Sequence, residues 1–199
     1  TNSLGNYKPK AKHMLEFIQL LKQRYQAVQS TMDNKHPYFV DYQQRIDQLL
    51  YCEAFIRKGL LKHQYPKFPL QIAVIGPTQA GKSSVVNVLI NTLQAGVSPL
   101  AGYTVHPHGY CHGINPDSCH ELQSYFGRFQ CVSETALNRN RYDCYSLSQA
   151  TNQSNLIPSA VVWDTPDFDS IDAADYREGV IRTIALADII VMVVSKEKY

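Results

Sequence analysis

Residues 76–83 read Gly-Pro-Thr-Gln-Ala-Gly-Lys-Ser, which meets the spacing G-x-x-x-x-G-K-[S/T] without a mismatch. Few eight-residue stretches restrict a fold so tightly. The glycines let the backbone wrap a phosphate chain with successive N–H groups pointing inward. The helix that opens at the lysine adds the positive end of its dipole. Such a loop therefore needs a strand before it and a helix after it, and the flanks supply both. Leu70-Gln71-Ile72-Ala73-Val74-Ile75 is a short apolar run rich in β-branched residues, as a buried strand requires. Lys82 to Leu93 carries Val85, Val86, Val88, Leu89, Ile90 and Leu93 and is predicted to be the helix. Strand, loop and helix in that order open an α/β unit. The loop residues Gly76, Gln79, Ala80, Gly81, Lys82 and Ser83 are the expected nucleotide contacts. Lys82 is expected on the β- and γ-phosphates, and the Ser83 hydroxyl on Mg2+.

A second motif is Val161-Val162-Trp163-Asp164-Thr165-Pro166-Asp167. An aspartate ending an apolar strand downstream of such a loop is where the metal-holding carboxylate sits, so Asp164 is expected to hold Mg2+, usually through water.

Ala80-Gly81-Lys82-Ser83-Ser84 before a valine-rich helix, with Asp164-Thr165-Pro166 after a strand, resembles the translation-factor-related P-loop GTPases. The Era-like and dynamin-like branches look closest, and the resemblance covers roughly Leu70 to Val194. It implies hydrolysis of GTP to GDP and phosphate, with Mg2+ as cofactor. It also implies Ser84 near the α-phosphate and Thr104 as the switch threonine that completes the metal site with Ser83 and Asp164. In that class the second motif ends in glycine, whereas this chain has Asp167. A carboxylate there is unfavourable beside a phosphate unless it turns away. Phe168 follows, where small signalling GTPases carry a water-orienting glutamine. Gln79 occupies a loop position whose polar side chain serves a monovalent cation or the β–γ bridging oxygen in the similar branches. The expected catalytic set is thus Gln79, Lys82 and Thr104. The base-reading motif of the class would follow a later strand, and Ser195-Lys196-Glu197-Lys198-Tyr199 comes before it. The chain is therefore read as a truncated G domain whose guanine specificity rests on the resemblance.

Ahead of this unit, residues 1–66 are predicted to form an α-helical hairpin, with 67–199 as the front part of the GTPase domain. A helix from about Ala11 to Met32 has the stripe Met14, Ile18, Leu21, Tyr25, Val28 and Met32. A second, from about Tyr38 to Leu61, has Phe39, Tyr42, Ile46, Leu49, Ile56 and Leu60, with Glu53 in its one polar slot. Pro37 separates them. Behind the loop helix, Tyr103–His112 reads as a strand and 113–158 as a polar, tyrosine-rich insertion with helix near Cys119–Phe129. Ser159–Trp163 is a buried strand, Ile171–Ala187 a helix and Asp188–Val194 a further strand.

Charge divides the chain. Through Phe68 there are 11 Lys and Arg against 5 Asp and Glu, and from Pro69 onward 8 against 12. A basic front segment suits a membrane surface, a nucleic acid or an acidic partner. Five cysteines without framework spacing point to reduced thiols in a cytosol. No apolar run reaches the roughly 18 residues of a membrane span. The expected location is cytoplasmic, with peripheral membrane contact open. His106, His108, Cys111, His112, Cys119 and His120 match no standard zinc spacing and read as a polar strand face with packed cysteines. Arg128, Arg139, Arg141, Arg177 and Arg182 read as surface charge. Three function classes follow. One is a dynamin-like GTPase that homodimerises through the G domain, with its hairpin available to a membrane or protein partner. Another is an Era-like switch, for which a nucleic-acid partner ranks lower. The third is a non-hydrolysing nucleotide-binding scaffold. A P-loop ATPase is the alternative on base identity.

Overall fold

Apolar residues three and four apart give each front helix one face to bury, and neither helix can bury it alone. The computed structural model describes residues 7–96, 104–137, 141–167 and 173–194, with side chains described from Lys10 in the first helix and from Tyr176 in the last. The chain divides into two compact units, 1–66 and 67–199.

In the first unit α1 (Tyr7–Gln29) and α2 (Phe39–Gln64) pack together. Tyr25 meets Tyr42 edge-on with ring centroids 5.4 Å apart, and Gln29 Nε2 donates to Gln43 Oε1 at 3.0 Å. Farther back in α1, Gln19 and Lys22 meet Glu53 of α2, so the helices run antiparallel. The packed face of α1 is Ala11, Leu15, Ile18, Lys22, Tyr25 and Gln29, and the predicted stripe needs correction. Met14 and Val28 are 54% and 43% exposed. Val28 lies about 100° around the helix from Ala11 because 17 residues do not complete whole turns. In α2 the buried residues are Ile46, Leu50, Glu53, Ala54 and Leu61, a face rotated from the predicted one. Glu53, only 2% exposed, takes Lys22 Nζ at 2.6 Å, Arg57 Nε at 3.1 Å and Gln19 Nε2 at 3.2 Å. A buried carboxylate is tolerated because cations and an amide surround it.

The second unit is an α/β sheet. Its strands are β1 (Leu70–Ile75), β2 (His108–His112), β3 (Gln130–Cys131), β4 (Cys144–Gln149), β5 (Ala160–Asp164) and β6 (Ile189–Met192). Their order across the sheet is β3-β4-β2-β5-β1-β6. β1 lies parallel to β5 on one side and to β6 on the other, and only the β2–β5 pairing is antiparallel. The helices are α3 (Lys82–Ile90), α4 (Leu122–Phe126) and α5 (Ala173–Leu186).

Alternation along β5 sends Val162 to one face and Trp163 to the other. On the first face Val74, Val162 and Tyr110 pack with Val86 and Ile90 of α3. On the second, Trp163 meets Phe126 of α4, which in turn stacks on Tyr145 of β4 at 4.2 Å. Trp163 Nε1 donates to Gln71 Oε1 at 2.8 Å, so both polar groups are satisfied inside the core. Each such aromatic ring, fully removed from water, contributes about 1.5–3 kcal/mol. Two tyrosines of the insertion are therefore core: Tyr125 and Tyr145 are buried, and Tyr125 Oη donates to Arg182 O of α5 at 2.6 Å.

Several boundaries differ from the sequence reading. α3 stops at Ile90, where Asn91 turns left-handed at φ 53°, and Leu93 lies outside it, exposed. β2 starts at His108 and not at Tyr103; Thr104 to Pro107 are not strand. β3 and β4 inside the insertion were not expected. Cys144-Tyr145-Ser146-Leu147-Ser148-Gln149 alternates too weakly to stand out in a polar stretch. Asp188, which interrupts the last apolar run, clamps the start of β6: its Oδ2 accepts from Gln71 N at 3.1 Å and its own N donates to Gln71 O at 2.8 Å. Ser195 to Tyr199, where the reading placed the approach to a base-reading motif, lie outside the described residues.

Candidate nucleotide-binding site

The loop at 76–83 leaves the end of β1 and enters α3. Gly76 is required by crowding, because a Cβ there would lie 2.4 Å from Val193 O beside β6. Gly81 is required by its backbone, since it caps α3 with φ 91°. Gln79 is also left-handed, at φ 61°, and its side chain faces solvent. Ala80 N donates to Pro77 O at 3.2 Å and closes the turn between them. Ser84, one residue past Ser83 in the first turn of α3, is exposed.

Lys82 and Ser83 point toward the end of β5. Lys82 Nζ donates to Pro77 O at 3.2 Å and forms an ion pair with the Asp167 carboxylate. Ser83 Oγ donates to Asp164 Oδ2 at 2.6 Å. Thr165 Oγ1 donates to Val74 O at 2.7 Å, which ties the turn after β5 back to β1 and holds Asp164 beside the loop. Burial pushes the Asp164 carboxyl from its usual 3.8 up to about 6. The Ser83 hydrogen bond and the Lys82 charge work against that rise, and the Asp167 charge adds to it.

Asp164 Oδ1 is buried without a hydrogen-bond partner. A bare, buried carboxylate oxygen beside a serine hydroxyl is a donor set of the kind that suits a hard divalent cation. The residues present thus fit Mg2+. Thr104 lines, together with Asp164, His106, His108 and Tyr110, a cavity of about 300 Å3. The predicted metal residues Ser83 and Asp164 are in direct contact; Thr104 shares a cavity with Asp164, and Ser83 does not line it.

The family is decided by the segment that holds this geometry. Residues 71–199 match the family model of the 50S ribosome-binding GTPases, which is more than half of the chain. The chain belongs to that family. It is a P-loop GTPase, with its G domain carried by the second unit. No curated protein matches the chain.

Asp167 does not turn away from the phosphate site; its carboxylate is drawn onto Lys82, the nearest buried cation. The departure from glycine was visible in the sequence, but its partner was not. Phe168 lies outside the described residues. The arginines Arg128 and Arg182 both pair with Glu178, and Arg141 pairs with Asp143, while Arg139 lies outside the described residues; Arg182 is buried, 4% exposed, and so is not the surface charge expected of it. The histidines and cysteines divide into separate small contacts, with Cys111 against Cys119 and His108 beside His106. His112 accepts from Ser154 N at 2.7 Å, His108 shares a 3.0 Å hydrogen bond with Ser146 Oγ, and Cys111 and Cys119 are buried. Burial and the neighbouring His106 hold the His108 imidazole down at about 4. Among the described residues no group of three or more His, Cys, Asp and Glu has the arrangement of a metal centre.

Proposed function

We propose that this GTPase binds GTP with Mg2+ and hydrolyses it to GDP and phosphate by in-line attack of water. The observation that carries the reading is the contact of Ser83 Oγ with the Asp164 carboxylate at 2.6 Å, beside a left-handed loop that ends in Lys82. The backbone of Gly76 to Gly81 cradles the phosphates, and Ser84 reaches the α-phosphate. Lys82 neutralises the β- and γ-phosphates. Ser83, Thr104 and Asp164 would hold Mg2+, which would supply charge neutralisation to the phosphates. Catalysis of this kind is positioning and electrostatics, so the protein's part is to fix these groups before the phosphate arrives. Gln79 contributes at the β–γ bridging oxygen, directly or through a monovalent cation.

Within the family, the helical hairpin ahead of the G domain supports a dynamin-like protein. Such a protein would homodimerise through the G domain and use the hairpin on a membrane or protein partner. A cytoplasmic protein that touches a membrane peripherally fits this reading. Among the described residues no helix is long and apolar enough to cross a membrane. An Era-like switch is the second reading, supported by the family description and by the basic first third of the chain.

The test is binding of Mg2+-GTP and Mg2+-ATP to the wild-type chain and to Lys82→Ala, followed by turnover at rising protein concentration. GTP preference that disappears in Lys82→Ala, with turnover that rises with concentration, is the expected result. Equal GTP affinity in both proteins removes the phosphate site. A preference for ATP overturns guanine specificity. Tight binding without turnover points to a non-hydrolysing scaffold.

A further inference from the structure

The contact between Lys82 and Asp167 is not part of the mechanism just proposed. Both side chains are nearly sealed from water, at 5% and 10% exposure. The lysine ammonium has three hydrogens to donate. One goes to Pro77 O and one to the Asp167 carboxylate. Lys82 is the residue expected to meet the β- and γ-phosphates, so the carboxylate engages the group that a terminal phosphate would engage. Its position in the chain, three residues after Asp164, is where the related GTPases carry a glycine with no charge at all.

We infer that Asp167 acts as an internal substitute for the terminal phosphate, and that it makes this site discriminate against nucleoside triphosphate in favour of diphosphate. The inference rests on the proposed reading of the loop as a nucleotide site. A diphosphate ends at its β-phosphate, and Lys82 can meet that group with its remaining donor while it keeps Asp167. A triphosphate brings a further anionic group to the same end of the lysine. Either the carboxylate stays and two like charges meet in a buried place, or it leaves and a buried ion pair is broken. Both outcomes penalise the triphosphate and spare the diphosphate. Asp167 is a specificity-determining residue on this account. GTP entry requires the carboxylate to move, which couples the turn after β5 to the presence of the terminal phosphate.

The experiment measures dissociation constants for GDP and GTP, with Mg2+, on the full chain and on Asp167→Asn and Asp167→Gly. Fluorescent analogues serve as probes, and circular dichroism checks that each variant is folded. The wild-type chain should bind GDP at least about tenfold more tightly than GTP. Both variants should tighten GTP by about tenfold or more and change GDP by less than about threefold, because only the triphosphate competes with the carboxylate. A wild-type preference for GTP overturns the inference without any variant. So does an equal change for both nucleotides, or GTP binding that weakens. If no guanine nucleotide binds, the same comparison with ADP and ATP separates the two readings. Discrimination against ATP that Asp167→Asn relieves keeps the inference and discards guanine specificity. Failure to bind any nucleotide overturns both.

Discussion

Lowering the pH should uncouple Mg2+ from this site far earlier than in a site built on an ordinary carboxylate. The Asp164 carboxyl titrates at about 6 because burial penalises its charge. A metal ligand must be ionised to bind. A carboxyl titrating near 6 is about nine-tenths ionised at about pH 7 and about one-tenth ionised at about pH 5. Mg2+ affinity should therefore fall about tenfold across that interval, while a carboxylate with an ordinary value would lose almost nothing. The assay is a Mg2+ titration of the GDP-bound chain at several pH values, with a fluorescent analogue as reporter, on wild type and Asp164→Asn. Protonation of the nucleotide's own phosphates affects both proteins alike, so the difference between them isolates Asp164. A wild-type Mg2+ affinity that is flat across the interval, or a pH slope shared by both proteins, refutes the reasoning. The same shift has a definite sign for stability without metal. The folded-state value lies above the usual 3.8, so between 3.8 and about 6 the native state binds the extra proton. Stability from this group is present below the lower value and is lost as pH rises through about 6, a loss on the order of 3 kcal/mol.

Three further outcomes can be checked on purified protein. Glu53→Ala should destabilise the helical hairpin by about 1–3 kcal/mol in thermal or denaturant unfolding, since it leaves Lys22 and Arg57 without their shared anion; the two cations reach water at 15% and 24% exposure, which limits the loss. Gly76→Ala should cost about 1–3 kcal/mol and weaken nucleotide binding, because its methyl would stand 2.4 Å from the backbone oxygen of Val193; an unchanged unfolding midpoint would mean that β6 yields freely there. Gln79→Ala should lower kcat with less than about a threefold change in nucleotide affinity, and should blunt any response to potassium or sodium; turnover indifferent to Gln79 and to the cation would remove its proposed role.

The sequence by itself determined the parts of this GTPase whose physics is local. The glycine loop, the β-branched strand before it and the apolar helix after it sit within about 20 residues, and each constrains the next. The structure puts β1 at Leu70–Ile75, as read from the sequence, and starts α3 at Lys82. The apolar run that ends in Asp164 was legible for the same reason, and so was a two-helix front segment, whose stripes need no distant partner to be recognised. Helix faces were legible only approximately. Met14 and Val28 belong to a plausible stripe, and only the antiparallel partner fixes that Lys22 and Gln29 face inward instead.

Tertiary structure alone decided what the polar insertion does. Tyr125, Phe126 and Tyr145 lie in a stretch read only as polar and tyrosine-rich, yet they fill the sheet face around Trp163. Short strands such as β3 and β4 gain their hydrogen bonds from segments far away in sequence, so their own residues carry little signal. The same holds at the candidate site. Ser83 and Asp164 are 81 positions apart and Lys82 and Asp167 85. Residue types could nominate the first pair by analogy of motif. For the second they showed only a missing glycine. That its carboxylate is drawn onto the lysine follows from the two charges sharing a buried place, where each is far less costly with the other than alone.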